Sequence, residues 1–258
     1  MNPLQAVGRS SLALTRAAGA VTLFGLRGLL AIFQPPVFWG QFLRQCWSIG
    51  YMSLPVVGLT AVFTGAALAL NIYDAGSRFN AEQIVLQIVA LGQTRELGPV
   101  LASLMLAGRV SAAIAAEIGA MRATEQIDAL KTLSTDPFKY LVAPRLAAAA
   151  LMTPILTAVA DIIGIAGGFL VATLTLNFSA PQYVRTTWDF LEPWDITSGL
   201  IKGAAFGFIV ALMGCYHGYN AKGGARGVGR ATTFAVVSAA VLVLAADYLL
   251  TSWFTSAK

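Results

Sequence analysis

Charge is scarce in this sequence. Only 11% of its 258 residues are Asp, Glu, Lys or Arg, while 57% are hydrophobic and the mean hydropathy is +0.72. An ordinary soluble domain carries about 25% charged residues, so a surface facing water all round is excluded, and the apolar excess needs hydrocarbon around it. The two cysteines, Cys46 and Cys215, are too few for a disulfide framework or a cysteine-based metal cluster. The single histidine, His217, comes with no H-E-x-x-H, no paired metal ligands and no serine or cysteine nucleophile motif. Catalysis therefore has no candidate site, and no metal centre is expected.

Charge of one sign is also scarce. The formal net charge is +5 and the pI near 9.4, yet the basic residues sit in short pieces between apolar runs rather than on one solvated face. That pattern argues against nucleic acid and for topology signals. Residues Met1 to Arg16 are too polar for a signal h-region, and the run Ala17 to Phe33 is interrupted by Arg27 with no small-residue cleavage site after it, so the N-terminus is expected to be retained.

What the chain has in quantity is long apolar runs, and a helix crossing roughly 30 Å of hydrocarbon needs about 20 such residues. Leu4 to Phe33 is amphipathic, with Arg9, Arg16 and Arg27 among Leu, Val and Ala, and Pro35-Pro36 stops any helix there. Val37 to Trp47, with Phe38, Trp39, Phe42 and Trp47 beside Arg44, suits the headgroup level. Residues 1–48 are thus expected to form interfacial helices. Five spans follow within residues 50–254: about Gly50 to Tyr73, Leu97 to Met121, Leu146 to Leu176, Ile196 to Tyr216 and Ala231 to Phe254. Gly164 with Gly168, and Gly203 with Gly207, have the small-xxx-small spacing of close helix contacts. Ser179 to Asp195, rich in aromatics and broken by Pro193, reads as a partly helical interfacial segment. The fold class is all-α integral membrane, in a single domain covering 1–258. Ala17 to Phe33 is the alternative sixth span, if Arg27 is accommodated inside the protein.

Lys and Arg concentrate on one side: Arg9, Arg16, Arg27, Arg44, then Arg122, Lys131, Lys139, Arg145, then Lys222, Arg226 and Arg230. By the positive-inside rule that side is cytoplasmic, which puts the N-terminus in the cytoplasm and, with five spans, the C-terminus in the periplasm. Three intramembrane charges stand out. Arg109 lies roughly 20 Å along a helix from Arg95 and needs a partner or water; Asp161 and Asp247, in two other spans, are the candidates. A structural ion pair and a proton or substrate path both fit these residues.

Thr124 to Leu133 has a different character. Thr124 can cap a helix whose first turn holds Glu125 and Asp128, and Ile127, Leu130 and Leu133 form one apolar stripe. Such a helix, stopped at Asp136-Pro137, suits either insertion into a groove on a soluble partner or packing on the membrane surface. Gly223 to Thr232 faintly echoes a phosphate-binding loop, but Arg230 and Ala231 stand where Lys and Ser or Thr belong, and the flanking spans leave no room for the α/β domain such a loop requires.

The densest motif is Arg95-Glu96-Leu97-Gly98-Pro99, then Ala107-Gly108-Arg109, then Ala116 to Leu130, continuing through Asp136-Pro137, Pro144-Arg145, Gly218-Tyr219 and Gly229 to Thr233. This run resembles the signature of MlaE-type permeases, the membrane subunits of ABC systems that move phospholipid between the inner membrane and periplasmic MCE-domain proteins and so maintain outer-membrane lipid asymmetry. The resemblance implies an MlaE-permease fold, a homodimer and a bacterial inner-membrane location. It implies a separate cytoplasmic ATPase that binds the ATP and Mg, leaving this chain without a cofactor. It also implies a coupling helix at about 124–134 with Glu125, Ile127, Asp128, Leu130 and Leu133 at the ATPase, and a lipid site near Arg95, Glu96 and Leu97. For Arg95 and Glu96 the bland reading is a snorkelling interfacial ion pair. The rival function is a membrane scaffold or channel without an ATPase, which would need more polar residues lining a pore than Arg109, Glu117, Asp161 and Asp247.

Overall fold

The computed structural model describes residues 3–78 and 84–256, and among them helices and their connections make up the fold, with no strand. In hydrocarbon every backbone N–H and C=O must be satisfied within its own segment or in a closed barrel, and these apolar runs take the first solution. α1 (Pro3–Phe33) ends just before Pro35-Pro36. α2 (Trp39–Ile49) and α3 (Leu54–Ser77) are joined by a tight turn at Tyr51–Ser53. α4 (Ile84–Gly92), α5 (Gly98–Leu106) and α6 (Ala112–Ala123) follow one another through two wide, π-type turns, Gln93–Leu97 and Ala107–Ser111. The short α7 (Gln126–Thr132) comes next, then a third wide turn, Phe138–Val142, opening α8 (Ala143–Leu174). α9 (Ala180–Phe190), α10 (Pro193–Tyr219) and α11 (Gly224–Ser256) complete the chain.

Among the described residues six stretches are long and apolar enough to cross a membrane: Thr15–Phe33, Trp39–Ser77, Leu86–Ala123, Phe138–Leu174, Pro193–Tyr219 and Gly224–Ser256. That is one more than the sequence count, because Thr15–Phe33 qualifies in spite of Arg27. The Arg27 guanidinium lies 4.2 Å over the Phe138 ring, a cation–π contact in place of an ion pair. The packing of α1 is confined to one end of the bundle. Phe24 meets Phe138, Tyr216 and Tyr219, and Gly25 and Gly28 sit against Leu212 and Leu146. These neighbours are the start of α8 and the end of α10, the end where α7 also lies. Leu23, Leu26, Leu30 and Phe33 are exposed along its outer face and so face lipid tails. The second span, expected from about Leu97, starts earlier: α4 and the wide turn Gln93–Leu97 belong to one apolar stretch that runs from Leu86 to Ala123.

Close helix contacts run through small residues. A Cβ on Gly65 would fall 1.8 Å from the Gly164 carbonyl, and one on Gly167 would fall 2.4 Å from that of Val62, so α3 and α8 touch backbone to backbone. Gly207 approaches the Ala149 carbonyl in the same way, drawing α10 onto α8. In a bilayer, where lipid tails are as apolar as Leu, such close van der Waals packing supplies the association that water would drive elsewhere. The largest apolar cluster, including Ile118, Ile127, Phe138, Leu146, Phe206 and Met213, fills the bundle toward the α7 end.

Gly65→Ala is therefore expected to separate α3 from α8 and lower the unfolding temperature of the detergent-solubilised protein, by an overpacking cost of roughly 1–3 kcal/mol. Gly19→Ala, at an exposed helical position with open space around it, should leave that temperature unchanged or slightly higher. Equal melting of the two variants would contradict the packing described.

Candidate functional site

The wide turn Gln93–Leu97 places Arg95 and Glu96 beside α10 and α11, at the end of the bundle opposite α7. The two do not pair with each other. Arg95 donates from Nε to Asp195 Oδ1 at 2.6 Å, and its Nη2 approaches the same oxygen. Asp195 also caps α10: its Oδ2 accepts the Glu192 N–H at 3.0 Å in a capping box with Pro193 in the first turn. One carboxylate thus starts a helix and fixes a guanidinium.

Glu96 pairs with Lys202 of α10, whose ammonium is the centre of the site. Lys202 Nζ donates to Glu96 Oε1 at 2.9 Å, to the Arg95 carbonyl at 3.0 Å and to Thr251 Oγ1 at 2.7 Å. Asp247 Oδ1 of α11 lies 2.8 Å from the same nitrogen. The Lys202 side chain is 2% exposed, so its charge is affordable only because two carboxylates and two neutral acceptors surround it. The Arg95 and Glu96 side chains remain 36% and 42% exposed. They border a cavity of about 100 Å³ rimmed by Trp194, Ser198, Thr251, Phe254 and Thr255. Trp194 and Phe254 meet edge to face with centroids 5.7 Å apart. The result is a small polar notch, holding a cation and a carboxylate, framed by aromatic rings on an apolar helix surface. It suits the polar part of an amphiphile, with the rest lying along the helices outside. Leu97 is half-buried next to the notch and is not part of its lining.

Arg109 has neither of the partners expected for it. It donates to the Ser48 carbonyl, in the last turn of α2, at 3.1 Å and to Ser53 Oγ, on the α2–α3 connection, at 2.6 Å. Asp247 is taken by Lys202, and Asp161 is packed against Gly98 with no hydrogen-bond partner among the described residues. The α11 and α8 carboxylates lie toward the Arg95 end, whereas the wide turn Ala107–Ser111 carries Arg109 toward α2. Away from the notch another ion pair crosses the bundle: Arg145 of α8, 4% exposed, pairs with Glu117 of α6 at 2.8 Å and donates to the Leu141 carbonyl.

α7 differs from expectation in two respects. Thr124 does not cap it; the Thr124 hydroxyl donates back to the Ala120 carbonyl, and Glu125, at φ 60°, makes the left-handed residue from which α7 starts. Nor does the apolar stripe face outward as a whole. Ile127 is fully buried in this chain's own core and Leu130 half-buried against it, while Leu133 is 74% exposed. The outward face holds Glu125, Asp128, Ala129 and Leu133. Asp128 bonds Lys131 at 2.8 Å and Arg122 at 3.0 Å, and the Lys131 ammonium beside it holds its carboxyl below the usual range.

Asp195 and Lys202 are the site residues that the sequence reading did not single out. A signal exists: Glu192-Pro193-Trp194-Asp195 has the spacing of a capping box, and Lys202 stands several residues inside an apolar span, where a cation needs a function or a partner.

Among the described residues no group of three or more metal-ligating side chains occurs. A multi-span helical bundle with a charged notch at one end and a short helix displayed at the other is the build of a transport subunit. The family model for the permease MlaE matches residues 42–253, and the chain belongs to that family. It is 50% identical over 248 residues to a probable ABC transporter permease protein of Rickettsia prowazekii, covering 96% of each chain. It is 37% identical over 235 residues to one of Synechocystis, covering 90% of this chain and 89% of that one. To the intermembrane phospholipid transport system permease protein MlaE of Haemophilus influenzae it is 32% identical over 257 residues, covering 98% and 97%. The chain is thus a transport permease of the ABC class.

Lys202→Met is expected to strand Glu96 and Asp247 without their cation and to cost roughly 3 kcal/mol, less the part that solvent screens at half-exposed Glu96. Adding Glu96→Gln and Asp247→Asn to Lys202→Met should recover most of the lost thermal stability. If the triple variant melts no higher than the single one, the charges do not act as a unit.

Proposed function

We propose that the chain moves phospholipid, as the permease half of an ABC-type system, between the bacterial inner membrane and a periplasmic MCE-domain protein. The observation that carries this reading is the buried Lys202 network, which opens through Arg95 and Glu96 onto an apolar surface between Trp194 and Phe254. A zwitterionic or anionic headgroup meets a guanidinium and a carboxylate there, while its acyl chains stay against α10 and α11. The name of the Haemophilus relative, at full-length coverage, supports phospholipid as the cargo class. Two copies of the chain form the working unit. In this reading the α7 end, where the basic residues concentrate, faces the cytoplasm together with the N-terminus; α1 lies along that end without crossing, so that five of the six long apolar stretches span the bilayer. The notch and the C-terminus face the periplasm.

The energy enters at α7. A separate ATPase holds ATP and Mg, and its closure pushes on the outward face of α7: Glu125, Asp128 and Leu133. Ile127 and Leu130 pass that push inward, since both are packed into this chain's core. The push changes the shape of the bundle around the notch and shifts a lipid, with no covalent chemistry in this chain.

Two measurements test the reading. Purified with native lipids, Glu96→Gln should retain less phospholipid by mass spectrometry, roughly fivefold less for a loss of about 1 kcal/mol; unchanged lipid occupancy and composition would remove the notch from lipid handling. Leu133→Asp combined with Glu125→Arg should abolish copurification of the cognate ATPase at nearly unchanged thermal stability. Undiminished association in that variant would refute the coupling role. Ile127→Asp, by contrast, should destabilise the permease itself by placing an unpaired carboxylate in its core.

A further inference from the structure

A second candidate site lies at the α7 end, away from the notch. The last turn of α1, the Pro35-Pro36 connection, the start of α2 and the start of α8 enclose an apolar groove of about 300 Å³. Ile32, Phe33, Val37, Trp39 and Pro144 form its walls, and Lys139 stands at its edge. A shallower hollow adjoins it, sharing Phe38 and Trp39 and adding Arg44, Gln41 and Tyr140. Gln41 donates to the Tyr140 hydroxyl at 2.8 Å, which holds the two walls together.

The charges around this groove are all of one sign. Lys139 Nζ gives one hydrogen bond, to the Pro35 carbonyl at 2.9 Å, and an ammonium has three donors. Neither Lys139 nor Arg44 has an ion pair among the described residues, and no Asp or Glu lines either hollow. Arg27, one helix turn away from the groove, has an aromatic face for its neighbour rather than a carboxylate. Two acids lie nearby and both are engaged: Asp136 accepts the Phe138 N–H at 2.9 Å, and Glu117, which lines a separate cavity with Arg44 and Arg109, pairs with Arg145 at 2.8 Å. The arrangement is therefore hydrocarbon walls at the depth of a membrane interface, an exposed Trp39 at the rim and two cations without counter-charges.

We propose that this groove holds one anionic phospholipid of the surrounding leaflet, an acyl chain along Ile32, Val37 and Pro144 and its phosphate between Lys139 and Arg44. The charge complementarity selects that occupant over a neutral or zwitterionic lipid. The site also wedges α1 against α8, so the lipid braces the amphipathic helix onto the bundle. This inference stands on the membrane location and the groove alone, and is independent of what the Arg95 notch carries.

The experiment uses the full-length protein in nanodiscs containing a trace of either a phosphatidylglycerol or a phosphatidylcholine with a photoactivatable diazirine acyl chain. Adducts are mapped by peptide mass spectrometry. The phosphatidylglycerol probe should label residues 31–42 and 139–147 several times more than the phosphatidylcholine probe does. Lys139→Gln with Arg44→Gln, both at surface-accessible positions, should abolish that preference without altering labelling of the exposed α11 face. Equal labelling by the two probes, a preference that survives the double substitution, or exclusion of both probes by a bound protein would each overturn the proposal.

Discussion

The buried ammonium of Lys202 is the interaction on which the rest of the site depends. In a medium that cannot solvate charge, one cation fully enclosed by protein obliges its surroundings to supply oxygen from several directions. Here those oxygens come from a wide turn, through the Arg95 carbonyl and Glu96, and from α11, through Asp247 and Thr251. Three segments far apart in sequence are thereby fixed in register at one end of the bundle. Asp195 does the same work two turns earlier in α10, and it sets the direction of Arg95 by the same carboxylate that starts the helix. The exposed parts of Arg95 and Glu96 are the remainder of a network whose other members are satisfied.

The opposite end is built on different physics. There the backbone-to-backbone approaches at Gly65, Gly167 and Gly207 give way to a large apolar cluster in which Ile127, Phe138 and Phe24 meet. A short helix anchored in that cluster by Ile127 and half-anchored by Leu130 is a stiff element, so a force on its outer face reaches the core rather than bending a loop. Charge organises one end of the molecule, and apolar packing, crossed by the Arg145–Glu117 pair, the other.

Much of this was legible in the sequence. Apolar run length sets the class of fold, Gly164 with Gly168 and Gly203 with Gly207 mark helix contacts, and the run from Arg95 to Leu130 marks the family. Pairings were not legible, for a physical reason. Helix periodicity says which residues share a face of one helix but not which neighbouring helix that face meets, so Arg109 could be matched on paper to Asp161 or Asp247 while it bonds Ser48 and Ser53. Thr124 failed for a local reason: its hydroxyl can serve the turn behind it as readily as the helix ahead, and it serves the former. Ile127 misled because an apolar stripe looks the same whether a partner or the chain's own core covers it.

Arg95, Arg109 and Lys139 have something in common that no composition reveals. Each sits within one of the three wide turns, Gln93–Leu97, Ala107–Ser111 and Phe138–Val142. A wide turn holds one residue more than a standard turn, and one residue corresponds to about 100° of rotation around a helix. Removing a single residue there would leave both flanking helices intact yet turn everything beyond to a different azimuth, aiming each cation at the wrong neighbour. Along these stretches the number of residues is as much a part of the code as their identity.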